Sequence, residues 1–209
     1  MLNLPNIITL SRIALVVVFT ALLSLKGGAA ENAFASFAGG AFPGGSPFAA
    51  LALAAFILAA ASDWLDGYLA RRLGQVTTFG KLIDPLADKI LVSTAFIYLT
   101  RAGYCPFWVT ALIICREFLV TGLRQIVQSR GHVMAADRLG KWKTACQLAY
   151  CIACLLHLAC GASAGAAPAL LIDGPSAVLL RGWLLAGATL LTLWSGLNYC
   201  VSAHRLLKG

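Results

Sequence analysis

The sequence predicts an all-α membrane protein with six transmembrane helices and both termini on the cytoplasmic side. Of its 209 residues, 60% are hydrophobic and 11% are charged, less than half the roughly one-quarter typical of a soluble domain. The uncharged residues come in blocks near the roughly 20 residues that a bilayer-spanning helix needs. The basic residues then fall unevenly at the block ends. Arg71, Arg72, Lys81, Arg130, Arg138, Lys141, Lys143, Arg205 and Lys208 share one side, against Lys26, Arg101 and Arg181 on the other. The richer side is cytoplasmic by the positive-inside rule. A formal net charge of +8 raises the question of nucleic acid. Its placement at helix ends fits anionic lipids or phosphate ligands instead, and no nucleic-acid partner is expected.

The first apolar run covers residues 7–25, after a short lead-in at Asn3-Leu4-Pro5-Asn6. No Lys or Arg precedes residue 12, so the run is read as a retained helix and not as a cleaved signal. Asn6, Thr9 and Arg12 recur every three residues as a polar stripe. Two readings fit it: an interfacial helix end with Arg12 snorkelling, or a face turned to a polar cavity. Residues 26–48 form a Gly/Ala/Pro-rich external loop, and residues 49–70 the second span. A short polar connection over 73–80 leads to the third span, about 82–100, where Pro85 is tolerated in the first turn. After a turn at 101–106, the fourth span (about 107–128) carries Arg116, Glu117, Thr121 and Arg124. Such a set is costly in a bilayer unless it faces the protein interior. A basic connection, Arg130 to Lys143, precedes the fifth span, which ends near Cys160. A second small-residue loop over 161–177 precedes the sixth span, about 178–202. No internal repeat is visible, and residues 1–209 read as one domain.

Four of the eight acidic residues lie within 63–88. Asp63 and Asp66 are three apart, followed by Gly67; Gly80, Asp84 and Asp88 are spaced by four. Helical periodicity puts each set on one face. Two such helices side by side gather four carboxylates, which repel one another unless a cation neutralises them. The stretch therefore asks for divalent metal, with hard oxygen ligands that suit Mg²⁺ or Mn²⁺ alike. Asp63, Asp66 and Asp84 are the natural ligands, with Asp88 at the edge of the cluster.

Written out, the stretch is D-x2-D-G-x2-A-R-x8-G-x3-D-x3-D. It resembles the signature of the CDP-alcohol phosphatidyltransferase family at every position. The resemblance implies a six-helix membrane enzyme, usually a homodimer, with two divalent cations held by the aspartates. Such an enzyme moves a phosphatidyl group from CDP-diacylglycerol to an alcohol and releases CMP. It implies Asp88 as the base that takes the acceptor's proton. Gly67 and Gly80 would let a nucleotide lie against helix backbone, and Arg71, one turn beyond Gly67, would pair with a phosphate. Asn6 and Thr9 join these as contacts to the CDP-lipid.

The stretches Asn3–Ile13, Lys81–Lys89, Arg116–Arg124 and Leu139–Gln147 are similar to the bacterial branch of the family whose acceptor is glycerol 3-phosphate. The expected setting is accordingly a bacterial cytoplasmic membrane with the active site facing the cytoplasm. A dianionic acceptor needs cations. Arg116 and Arg124 are eight apart, about two turns along one face, and Lys141 and Lys143 open the next span. With Thr121 as a hydroxyl donor they form a candidate phosphate clamp, and Glu117 is expected to pair with an arginine and set its position. Positive-inside anchoring also accounts for Lys141 or Lys143 taken singly. Serine, inositol phosphate and phosphatidylglycerol are alternative acceptors within the family. From another class, a divalent-cation transporter would place its acids near the midplane, often on repeated broken helices. The seven cysteines lie mostly in apolar stretches and read as small buried hydrophobes, the Cys151/Cys154 pair included.

Overall fold

The computed structural model of the chain describes residues 4–25, 47–73, 78–130, 138–160 and 174–208, without the side chains of 4–9, 24–25, 47, 63–73, 78–88, 138 and 207–208. Among the described residues there are six helices and no strand. They are α1 (Leu4–Leu25), α2 (Pro47–Leu73), α3 (Thr78–Arg101), α4 (Phe107–Ser129), α5 (Arg138–Cys160) and α6 (Pro175–Lys208). The expected loops over 26–48 and 161–177 lie largely outside the described residues.

Most helices outrun the apolar blocks that predict them, because a helix continues while its residues allow it, whatever their polarity. Helix α1 begins at Leu4, so the lead-in is already helical; Pro5 sits in the first turn, where its missing N–H costs nothing. Helix α5 begins at Arg138, which puts Lys141 and Lys143 in its first two turns and not in a connection. Helix α6 runs for 34 residues, well beyond a bilayer crossing. Helices α5 and α6 carry apolar stretches, Leu139–Cys160 and Pro175–Leu206, long enough to cross a membrane.

The helices close a ring of neighbours. Helix α1 packs on α2 and α3, α2 on α5, α5 on α6, α6 on α4, and α4 on α3. Helix α3 also meets α2 and α5 across the ring. That sets α3, which carries Asp84 and Asp88, against α1, α2, α4 and α5. Along α2, Ala49, Ala52, Ala55 and Ala59 are all buried. Small side chains at this spacing let backbones approach closely, the usual means of holding apolar helices together where no hydrophobic drive separates helix from lipid. Phe19 of α1 meets Phe56 of α2 with ring centroids 5.6 Å apart, and Phe96 of α3 stacks on Tyr150 of α5 at 5.7 Å.

The end of the ring opposite the aspartates is tied by polar contacts. The α3–α4 turn passes through Gly103 at φ +79°, a conformation that favours glycine. The Tyr150 hydroxyl donates to the Tyr104 carbonyl at 2.7 Å, and the Tyr104 hydroxyl lies 2.6 Å from His157 Nδ1. Cys105, Cys151 and Cys154 are buried here; Cys115 and Cys200 are exposed. Burial pushes the Cys105 thiol above its ordinary pKa, consistent with a packing role.

Candidate active site

Helix α2 carries Asp63 and Asp66 one turn apart, and α3 carries Gly80, Asp84 and Asp88 at four-residue intervals; the two helices pack together. Both helices run unbroken through the motif, so the registers that group these residues are present. The side chains of Asp63, Asp66, Arg71, Asp84 and Asp88, with those of Asn6 and Thr9, lie outside the described residues, as does the surrounding of Gly67 and Gly80. The donor set itself fits a hard divalent cation, being four carboxylates in two helical pairs. Arg12, one turn after Thr9, is 2% exposed and so faces the protein interior, in keeping with the polar-cavity reading of the α1 stripe.

The described site begins one residue after Asp88. Lys89 Nζ lies 3.1 Å from Glu117 Oε2. The other oxygen, Oε1, accepts from Arg116 Nη1 at 3.2 Å and from the Lys143 ammonium. One buried carboxylate thus gathers cations from α3, α4 and α5. The side chains of Glu117 and Lys143 are 5% and 3% exposed. Bringing three cations together in such a place requires a counter-ion, since like charges a few ångströms apart repel strongly away from water.

Helix α6 supplies the facing wall. Arg116 Nη2 donates to Ser195 Oγ at 2.6 Å, and Arg124 Nη2 donates to the Tyr199 hydroxyl at 2.6 Å. The Tyr199 ring lies beneath both guanidiniums, 5.5 Å from Arg124 and 5.9 Å from Arg116, within cation–π range. Gly196 is where Arg116 crosses α6: a Cβ there would stand 3.1 Å from Arg116 Cγ. Deeper along the same stripe, Gln147 Nε2 donates to Thr192 Oγ1 at 3.2 Å and ties α5 to α6.

The structure therefore brings Arg116, Arg124 and Lys143 into one connected cluster. Lys141 is not part of it: two residues from Lys143, it lies across α5 and is exposed. The Thr121 hydroxyl donates to the Glu117 backbone carbonyl at 2.8 Å, so its proton is already used within α4.

A family model for CDP-alcohol phosphatidyltransferase matches residues 2–194. The chain belongs to the CDP-alcohol phosphatidyltransferase family. Several curated relatives cover the chain's whole length or most of it. The chain is 47% identical over 161 residues to the "CDP-diacylglycerol–glycerol-3-phosphate 3-phosphatidyltransferase" of Bacillus subtilis, covering 75% of this chain and 78% of the relative. It is 34% identical to the protein of that name from Pseudomonas fluorescens, covering 99% and 93%. The Escherichia coli protein of that name is 36% identical over 70% of this chain and 72% of its own. As a CDP-alcohol phosphatidyltransferase, the chain is a membrane-associated phospholipid-synthesis enzyme of the transferase class.

Four participants in the cluster of this CDP-alcohol phosphatidyltransferase escape a reading of its sequence: Lys89, Ser195, Gly196 and Tyr199. Lys89 stands inside a resembling stretch but next to a more conspicuous aspartate. Thr192, Ser195, Gly196 and Tyr199 do carry a signal, falling at intervals of three, one and three on an otherwise apolar helix. That small-and-polar stripe marks the inward face of α6.

Proposed function

We propose that this enzyme transfers the phosphatidyl group of CDP-diacylglycerol to sn-glycerol 3-phosphate, giving phosphatidylglycerophosphate and CMP. The geometric observation that carries the acceptor is the Lys89–Glu117 ion pair at 3.1 Å, which joins the signature helix to the cations of α4 and α5. A phosphate-bearing acceptor held by those cations lies beside the helix of Asp84 and Asp88. The names of the relatives point to the same acceptor.

Asp63, Asp66, Asp84 and Asp88 would hold two divalent cations, Mg²⁺ or Mn²⁺. When bound, these neutralise the pyrophosphate and the charge that develops on the leaving oxygen. Arg71 pairs with a CDP phosphate, Gly67 and Gly80 admit the nucleotide against helix backbone, and Asn6 and Thr9 line its approach. The acceptor phosphate sits among Arg116, Arg124 and Lys143; Lys141, exposed across α5, and Thr121, bonded within α4, stand outside that group. Asp88 takes the proton of the acceptor's 1-hydroxyl as its oxygen attacks the β-phosphorus. The new P–O bond forms, the bond to the cytidylate oxygen breaks, and CMP leaves with that electron pair. Residues 1–209 act as one membrane domain of six spans with both termini and the site at the cytoplasmic face. Nine basic residues on that side against three on the other support this orientation. A bacterial inner membrane and a homodimer complete the reading.

Arg124→Ala tests the acceptor assignment. Loss of one charge-assisted contact is expected to raise the KM for glycerol 3-phosphate by about 10-fold or more, with the KM for CDP-diacylglycerol unchanged. Steady-state CMP release at varied concentrations of each substrate reads both. Equal damage to the two KM values would place Arg124 on the nucleotide and overturn the clamp.

A further inference from the structure

We propose that Glu117 is a positioning residue: its carboxylate gathers Lys89, Arg116 and Lys143 into one preassembled cationic site for the acceptor's phosphate monoester. This rests on the acceptor reading above and adds to it the group that builds the site.

The two carboxylate oxygens divide the work. Oε2 takes Lys89 from α3, while Oε1 takes Arg116 from α4 and Lys143 from α5. One carboxylate thus touches cations from three helices. Arg116 is fixed in both directions, Nη1 on Glu117 and Nη2 on Ser195 Oγ at 2.6 Å. Its Nε is buried with no hydrogen-bond partner among the described residues, a donor that a bound oxyanion would satisfy. Glu117 does not itself suit a phosphate contact, because an ionised carboxylate only accepts hydrogen bonds and repels a dianion. Its value lies in holding the cations close before the acceptor arrives. Without it they would spread apart, and each binding event would have to regather them against their mutual repulsion. Three cations converging from three helices suit a dianionic monoester over a neutral alcohol.

The test compares Glu117→Gln and Glu117→Asp with wild type, in purified enzyme with Mg²⁺, CDP-diacylglycerol and glycerol 3-phosphate in detergent micelles. Glu117→Gln keeps the shape and removes the charge. It is expected to raise the KM for glycerol 3-phosphate about 10- to 100-fold, the range set by losing charge-assisted hydrogen bonds. The kcat should change by less than about threefold, and the KM for CDP-diacylglycerol should hold. Glu117→Asp restores the charge one methylene short and should recover part of the affinity, which a merely structural defect would not allow. Should Glu117→Gln fail to fold, Glu117→Asp alone decides: a raised KM for glycerol 3-phosphate supports the proposal, and an unchanged one overturns it. A fall in kcat with both KM values intact, or both KM values rising together, would also overturn it. A wild-type enzyme that ignores glycerol 3-phosphate overturns the acceptor reading and this inference with it. Wild-type activity with an unmoved Glu117→Gln KM overturns the role of Glu117 alone.

Discussion

Asp88→Asn is expected to lower turnover by about 10²- to 10⁴-fold while CDP-diacylglycerol still binds. That range is what a positioned general base contributes. The substitution keeps size and hydrogen-bonding shape but leaves no carboxylate to accept the hydroxyl proton. Asp88 stands at the end of the signature, one turn beyond Asp84 on α3. Asp63 is one of the natural cation ligands and Asp88 stands at the edge of the cluster, so binding should survive in Asp88→Asn and fail in Asp63→Asn. Equilibrium binding of CDP-diacylglycerol to both variants, beside their turnover, makes the distinction. Loss of binding in Asp88→Asn as severe as in Asp63→Asn would make Asp88 as essential a ligand as Asp63 and leave the base unassigned.

Gly196→Leu should produce the next largest effect, about 10- to 100-fold in the KM for glycerol 3-phosphate. The path of Arg116 across α6 depends on this glycine, since a Cβ would already stand 3.1 Å from Arg116 Cγ. A leucine cannot share that space. The guanidinium would be pushed off Ser195 and away from Glu117, so that Arg116 loses both of its tethers. Gly196→Ala asks for a shift of only a few tenths of an ångström and should cost less than about threefold. The graded pair separates steric displacement from a general weakening of α6. Unchanged kinetics in Gly196→Leu would show that Arg116 reaches its working position by another route.

The sequence made some parts of this site plain and hid others for physical reasons. Aspartates are conspicuous in a chain with only eight acidic residues, and four of them at helical spacing carry the expectation of a divalent cation. Arg116 and Arg124 stand out because charge within an apolar helix demands an explanation. Ser195, Gly196 and Tyr199 raise no such alarm, because each is ordinary in a membrane helix. Their meaning comes from partners 75 to 79 residues away, Tyr199 with Arg124 and Ser195 with Arg116. Only the ring closure that sets α6 against α4 reveals it. Lys141 and Lys143 look equivalent in a basic run. Extending α5 back to Arg138 separates them, one to the exposed side and one into the cluster. Glu117 was legible as a partner for an arginine, whereas Lys89 and Lys143 reach it only through packing of α3 and α5.

The most direct measurement follows CMP release by the purified protein from CDP-diacylglycerol, with Mg²⁺ or Mn²⁺, in separate reactions with glycerol 3-phosphate, serine, inositol 1-phosphate and phosphatidylglycerol. Release with glycerol 3-phosphate alone, abolished by chelation and restored by added cation, is the expected result. Release that survives chelation would contradict the metal role of the aspartates, and release with serine in place of glycerol 3-phosphate would contradict the phosphate-binding role of the cluster built on Glu117.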